Sequence, residues 1–188
     1  MTGGLSGLIG AIVAGPRIGR YVKGKDMHRK FKPHNVPLLV IGTLILWFGW
    51  FGFNAGSTLS MTGSNPDIAS MVSVNTMIAA SSGGITALLA TARFSRKNPL
   101  YDVGEMCNGV LAGLVCITAS CGNVTTVASF AIGVFGAINY VLFSRMVIRF
   151  KIDDPLDAFA VHYGAGITGV ILVGFFDKST GIFYGHSG

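Results

Sequence analysis

Charge is what this sequence has least of. Only 12% of its 188 residues are Asp, Glu, Lys or Arg, about half the roughly 25% found in soluble domains. Five stretches carry no charge at all: Met1 to Pro16, Pro33 to Pro66, Ile68 to Ala92, Met106 to Ser144 and Ala158 to Phe176. With 51% hydrophobic residues and a mean hydropathy of +0.60, this scarcity excludes a water-soluble globule of ordinary design. It also excludes disorder, which requires low hydrophobicity and high charge. Cysteine is scarce as well. Cys107, Cys116 and Cys121 form no CxxC pair and are odd in number, so neither a disulfide framework nor a thiolate metal site is indicated. Cys107 and Cys116 fall within an apolar stretch and are expected to pack as small hydrophobes. The four histidines, His28, His34, His162 and His186, show no HExxH or similar ligand spacing, so no metal and no cofactor are expected.

What is present is apolar length. Four of the charge-free stretches can cross a bilayer core of about 30 Å, which takes about 20 residues of helix. The run from Met106 to Ser144 is 39 residues, too long for one span, and Ser120-Cys121-Gly122-Asn123 interrupts it with a polar, glycine-containing break. It reads as two helices joined by a tight turn. The opening 16 residues would reach only about 24 Å and read as a short helix. The expectation is an all-α membrane protein, a polytopic bundle in one domain with about six spans near 1–16, 36–57, 68–92, 104–120, 123–144 and 156–176.

The net charge of +6 would suit a nucleic-acid binder only if the basic residues shared one soluble face. Their placement excludes that partner and marks topology. Arg17, Arg20, Lys23, Lys25, Arg29, Lys30 and Lys32 lie between spans one and two; Arg93, Arg96 and Lys97 between three and four; Arg145, Arg149 and Lys151 between five and six. Thirteen of the fourteen therefore share one side of the membrane, and only Lys178 lies across it. By the positive-inside rule the basic loops are cytoplasmic, with the Met1 and Gly188 ends outside.

Two spans carry unusual polar content. In WFGWFGFNAGS (Trp47–Ser57), Trp50, Phe53, Asn54 and Ser57 recur at i, i+3, i+4 and i+7, one stripe of a helix. An aromatic belt at the interface is the ordinary reading of such a stripe. A ring turned to a lumen could instead hold a small cation by its quadrupole, with Ser57 accepting a hydrogen bond. Gly49, Gly52 and Gly56, on the other side, make a thin face for a neighbouring helix. In DDPLDAFAVHYGAGITG, Asp154 and Pro155 read as N-cap and N1, with Asp157 at N3. His162, the one ionisable side chain in the interior of any span, lies about 10 Å further in. Intramembrane ionisable groups are costly and point to function. Burial favours the uncharged ring, which offers one donor and one acceptor nitrogen to a small neutral molecule. DDPLD also matches the DDxxD pattern that holds diphosphate through Mg²⁺ in prenyl-transferring enzymes. Those enzymes need a second acidic cluster, and the other acids here stand singly, so this alternative lacks half its site.

WFGWFGFNAGS and DDPLDAFAVHYGAGITG, with MTGGLSGLIGAIVAGPRIGR, NTMIAASSGGITALL and NGVLAGLVCITASCG, closely resemble segments of the ammonium transporter (Amt/Mep/Rh) family. The resemblance runs end to end and implies helices five to ten of an eleven-helix subunit, the carboxy-terminal half of a homotrimeric plasma-membrane protein that conducts ammonium or ammonia and is not an enzyme. It implies that His162 is the second of two pore histidines, Trp50 a pore-lining tryptophan, Phe53 one of two gating phenylalanines and Ser57 the hydroxyl that contacts ammonium at the outer mouth. Asp154, Asp157 and Asn54 are expected to support these residues. The chain is expected to begin just after the first pore histidine, as a fragment inactive alone. A Rhesus-type gas channel and an ammonium sensor remain open beside transport.

Overall fold

The computed structural model describes residues 1–22, 25–27, 31–94 and 101–185. Lys23, His28, Arg29, Lys30, Arg96, Lys97 and His186 lie outside them. Among the described residues six α-helices carry the fold: α1 (Thr2–Ala14), α2 (Val36–Gly56), α3 (Asn65–Phe94), α4 (Val103–Thr118), α5 (Thr126–Arg149) and α6 (Ala165–Phe176). A short antiparallel ribbon, β1 (Tyr21–Val22) with β2 (Lys25–Asp26), follows α1. A π-helical turn, Phe159–Gly164, leads into α6. Among the described residues, α2, α3, α5 and the continuous segment Phe159–Phe176 are long and apolar enough to cross a membrane, while α1 and α4 are shorter apolar helices. This is the polytopic bundle that the charge gaps predict.

Local chemistry sets the helix starts. Asn35 Oδ1 accepts from Leu38 N at 2.9 Å at the start of α2, Asp102 Oδ1 from Gly104 N at 3.0 Å before α4, and Thr125 Oγ1 from Ala128 N at 3.2 Å before α5. Each oxygen satisfies an amide that the first helical turn leaves without a partner. The expected break at 120–123 is a turn, tied by Asn123 N donating to Ser120 O at 2.8 Å.

Helices α3, α4 and α5 form a slab whose glycines permit near-contact of backbones. A Cβ on Gly83 would stand 2.5 Å from Gly109 O. One on Gly113 would collide with Ala79 O, one on Gly133 with Ser82 Oγ, and one on Gly136 would lie 2.7 Å from Cys116 Cβ. The Ala165/Gly169 spacing on α6 has the same use, since Gly169 rests against the backbone of Cys116. In lipid, where apolar burial gives helices little reason to associate, such close approach recovers dispersion energy. Helix α2 differs: only 6% of its span is buried. Its Gly49, Gly52 and Gly56 have nothing within 4 Å of an added Cβ, so no described residue of this chain packs on the expected thin face.

The last transmembrane segment begins later than DDPLD suggests. Asp154 is not followed by a helix with Pro155 at N1 and Asp157 at N3; regular hydrogen bonding starts near Phe159. Asp157 instead has φ of 52°, the left-handed region a non-glycine residue seldom occupies. Ser144 Oγ holds it there by donating to Asp157 Oδ1 at 3.1 Å, while Tyr140 Oη lies 3.4 Å from Oδ2. Asp154 still caps, from a greater distance along the chain, its Oδ2 accepting from Phe159 N at 2.8 Å.

Asp153 clamps this region to the segment after α1. Its carboxylate accepts from Arg17 N at 2.9 Å, Arg17 Nε at 2.7 Å, Arg17 Nη2 at 2.8 Å and Arg20 Nε at 3.2 Å. Hydrogen bonding to Arg17 outweighs burial and holds the Asp153 carboxyl down at about 2.

Candidate functional site

Residues from four helices and the π-helical turn meet around a cavity of about 350 Å³. Met1 precedes α1 and Trp50 comes from α2; Val115 and Thr118 come from α4, His162 from the turn, and Gly166 from α6. The wall is mostly apolar. Its polar side chains are Trp50, Thr118 and His162, a few polar groups set in a greasy wall as in small-molecule sites; the cavity is open in this chain, and His162 is exposed. Two residues far apart in sequence, and singled out on separate grounds, thus line one space.

The π winding bears on that placement. In this turn the backbone hydrogen bonds span five residues, adding one residue to the turn; such insertions recur at functional sites. Phe143 of α5 packs behind it, its ring centroid 5.7 Å from Phe159 and 6.2 Å from Tyr163. Phe159 and Tyr163 stack at 5.0 Å. Gly4 of α1 presses against Tyr163 N, where a Cβ would come within 2.5 Å.

The stripe on α2 divides. Trp50 turns to the cavity, and its Nε1 donates to Thr118 Oγ1 at 2.9 Å. Asn54 is buried and faces α3, its Nδ2 donating to Thr76 Oγ1 at 3.0 Å. Phe53 is 61% exposed and meets the Trp50 ring edge-on at 6.1 Å. Ser57 is exposed and donates to Phe53 O at 2.6 Å. Phe53 and Ser57 therefore extend the line from Trp50 toward the end of α2 but do not line the cavity.

At the other end of the bundle lies a polar cluster that sequence reading reached only through Asp157. Tyr140, fully buried, donates from Oη to Glu105 Oε2 at 2.8 Å and receives Asn108 Nδ2 at 3.2 Å. Its single proton serves Glu105, and Asp157 relies on Ser144. Glu105 and Asn108 stand at i and i+3 on α4, one face of the helix; with Tyr140 on α5 this was the available signal. Among the described residues no group of three or more His, Cys, Asp or Glu is arranged to hold a metal ion.

A bundle of apolar helices, with a mostly apolar cavity and a histidine in its wall, defines a multi-pass membrane protein. Its sequence matches the model of the Ammonium Transporter Family over residues 1–187, and the chain belongs to that family. It is 38% identical to Ammonium transporter 1 member 3 of Solanum lycopersicum, covering 95% of this chain and 40% of that protein. The fold is similar to the crystal structure of Saccharomyces cerevisiae Mep2, with a TM-score of 0.82 and 32% identity over 98% of this chain and 42% of that one. It is likewise similar to a chain described as Sensor Amt Protein, with a TM-score of 0.81 and 36% identity over 94% and 43%. The chain thus spans about two fifths of the length of these relatives.

Proposed function

We propose that these residues form one wall of an ammonium-conducting pore, and that the whole protein moves ammonium or ammonia across the plasma membrane as a homotrimer of such subunits. The observation that carries this reading is the meeting of Trp50 and His162 in one largely apolar cavity. The ring face of Trp50 attracts a small cation by its quadrupole, by about 0.5–2 kcal/mol as water is withdrawn. A bare cation further in lacks the several oxygens needed to replace its hydration. Ammonium therefore yields its proton to water at the outer mouth, and neutral ammonia passes the uncharged imidazole, which offers it one donor and one acceptor. Phe53 and Ser57 continue the path beyond Trp50 and form its outer mouth. Asp154 supports His162 by capping the π turn, Asp157 by anchoring the chain before it, and Asn54 by tying α2 to α3. The basic loops face the cytoplasm and the Met1 and Gly188 ends face outward. None of these steps is an enzymatic turnover.

The test is His162→Leu in the whole protein reconstituted in vesicles. Uptake of labelled methylammonium is expected to fall at least about tenfold, or to become accompanied by leak of other monovalent cations. Unchanged uptake with unchanged ion discrimination would overturn the reading. The likeness to Sensor Amt Protein supports one second reading, in which the site reports ammonium to a partner; His162→Leu would then abolish transport and leave signalling intact.

A further inference from the structure

We propose that Thr118 is a positioning residue for the pore: its hydroxyl fixes the rotation of the Trp50 indole so that the ring face, not its edge, meets the solute. The inference rests on the pore reading above and adds a residue to it.

The geometry around Thr118 is directional. Its Oγ1 donates its one proton to Leu114 O at 2.7 Å, one turn back on α4. The hydroxyl oxygen is thereby left as an acceptor, and Trp50 Nε1 donates to it at 2.9 Å. An indole has a single donor and no acceptor, so this contact uses the only polar group of Trp50 and sets which way the ring turns. The contact also crosses from α2 to α4, and α2 is the least buried of the four membrane-length segments. Elsewhere along α2 the tie is Asn54 to Thr76, one turn on and toward α3. Trp47, one turn earlier, is the comparison. Both indoles pack against the cluster of Ala80, Val110 and Leu114, but the Nε1 of Trp47 is buried with no hydrogen bond. Of the two tryptophans, the one lining the cavity has its ring held by a hydrogen bond.

Cation attraction by an aromatic ring depends on approach over the face, because the ring edge carries the opposite partial charge. A ring free to turn would present that edge for part of the time. Solute binding should therefore depend on Thr118 even where Thr118 does not touch the solute.

The experiment compares Thr118→Val, which keeps the shape and removes the acceptor, with Thr118→Ser, Trp50→Phe and the Val/Phe double variant in the whole protein. The first readout is the ultraviolet resonance Raman difference spectrum in the indole N–H-sensitive region. Thr118→Val is expected to shift it, Thr118→Ser to restore it, and the shift to vanish when Trp50 is already Phe. The second is the concentration dependence of methylammonium uptake. Half-saturation should rise about threefold to tenfold in Thr118→Val, the worth of one hydrogen bond, with the maximal rate within about twofold. The double variant should be no worse than Trp50→Phe alone. An unshifted Raman spectrum, a Thr118→Ser variant as impaired as Thr118→Val, or additive losses in the double variant would each overturn the proposal. If the spectrum shifts as expected and no variant of His162 or Trp50 alters uptake, the hydrogen bond's hold on the ring is supported and the pore reading itself falls.

Discussion

Helices α2 and α4 are both rich in glycine, and their glycines do opposite things. On α4, Gly109 and Gly113 lie against the backbone of α3, with Gly83 and Ala79 so near that no side chain fits between. On α2, Gly42, Gly49, Gly52 and Gly56 look out on open space, and large side chains such as Phe48 stand 79% exposed beside them. The same residue in the same kind of apolar segment is a packing device in one helix and idle in this chain's other. What decides is whether a second helix stands opposite, which composition does not reveal.

The sharpest way to break that contrast is a side chain at Gly113. Gly113→Val forces α3 and α4 apart and is expected to cost about 3 kcal/mol, the upper end of what overpacking costs. Exposure of the buried Cys107 and Cys116 thiols to a maleimide during a detergent melt would report it as a large fall in Tm. Asp153→Asn, on the same packed side, should cost about 2–3 kcal/mol. Removing one partner strands the other charges, and the 41% exposure of the Arg17 side chain keeps the loss below that of a fully buried pair. The same melt against pH sharpens the point. The folded carboxyl titrates at about 2 against an ordinary 3.8, so its contribution is complete above about pH 4 and is lost as pH falls toward 2. Asp153→Asn should flatten that part of the profile. The smallest effect belongs to Gly52→Ala. With nothing in reach of the new methyl group, better helix propensity should leave stability unchanged or raise it by up to about 1 kcal/mol. A clear loss there in the whole protein would show that a neighbour covers α2 in the membrane.

Much of the bundle was legible because a bilayer makes charge so expensive. Gaps between charges alone marked the apolar segments, and the polar break at 120–123 separated α4 from α5. Trp50 and His162 were legible for the related reason that their types are out of place in a lipid-facing helix. The α2 stripe was only partly so: helical periodicity puts Phe53 and Ser57 beside Trp50 but cannot say how far a cavity extends along it. The start of the last segment misled because Asp-Pro is a strong local signal, overridden here by the hydrogen bond from Ser144 to Asp157 beside the buried Tyr140. Those partners sit on α5, and the Glu105 that takes the Tyr140 proton sits on α4; no local pattern links the three. Thr118 escaped notice because a threonine donating to its own helix is commonplace. Its second role appears only once α2 lies across from it.

The wide turn at Phe159–Gly164 makes His162 an angular setting as well as a residue. A conventional helix advances about 100° per residue, so winding this stretch in the ordinary way with every residue kept would swing the chain before it by about that amount relative to α6. The imidazole would leave the cavity with the chemistry of every side chain unchanged.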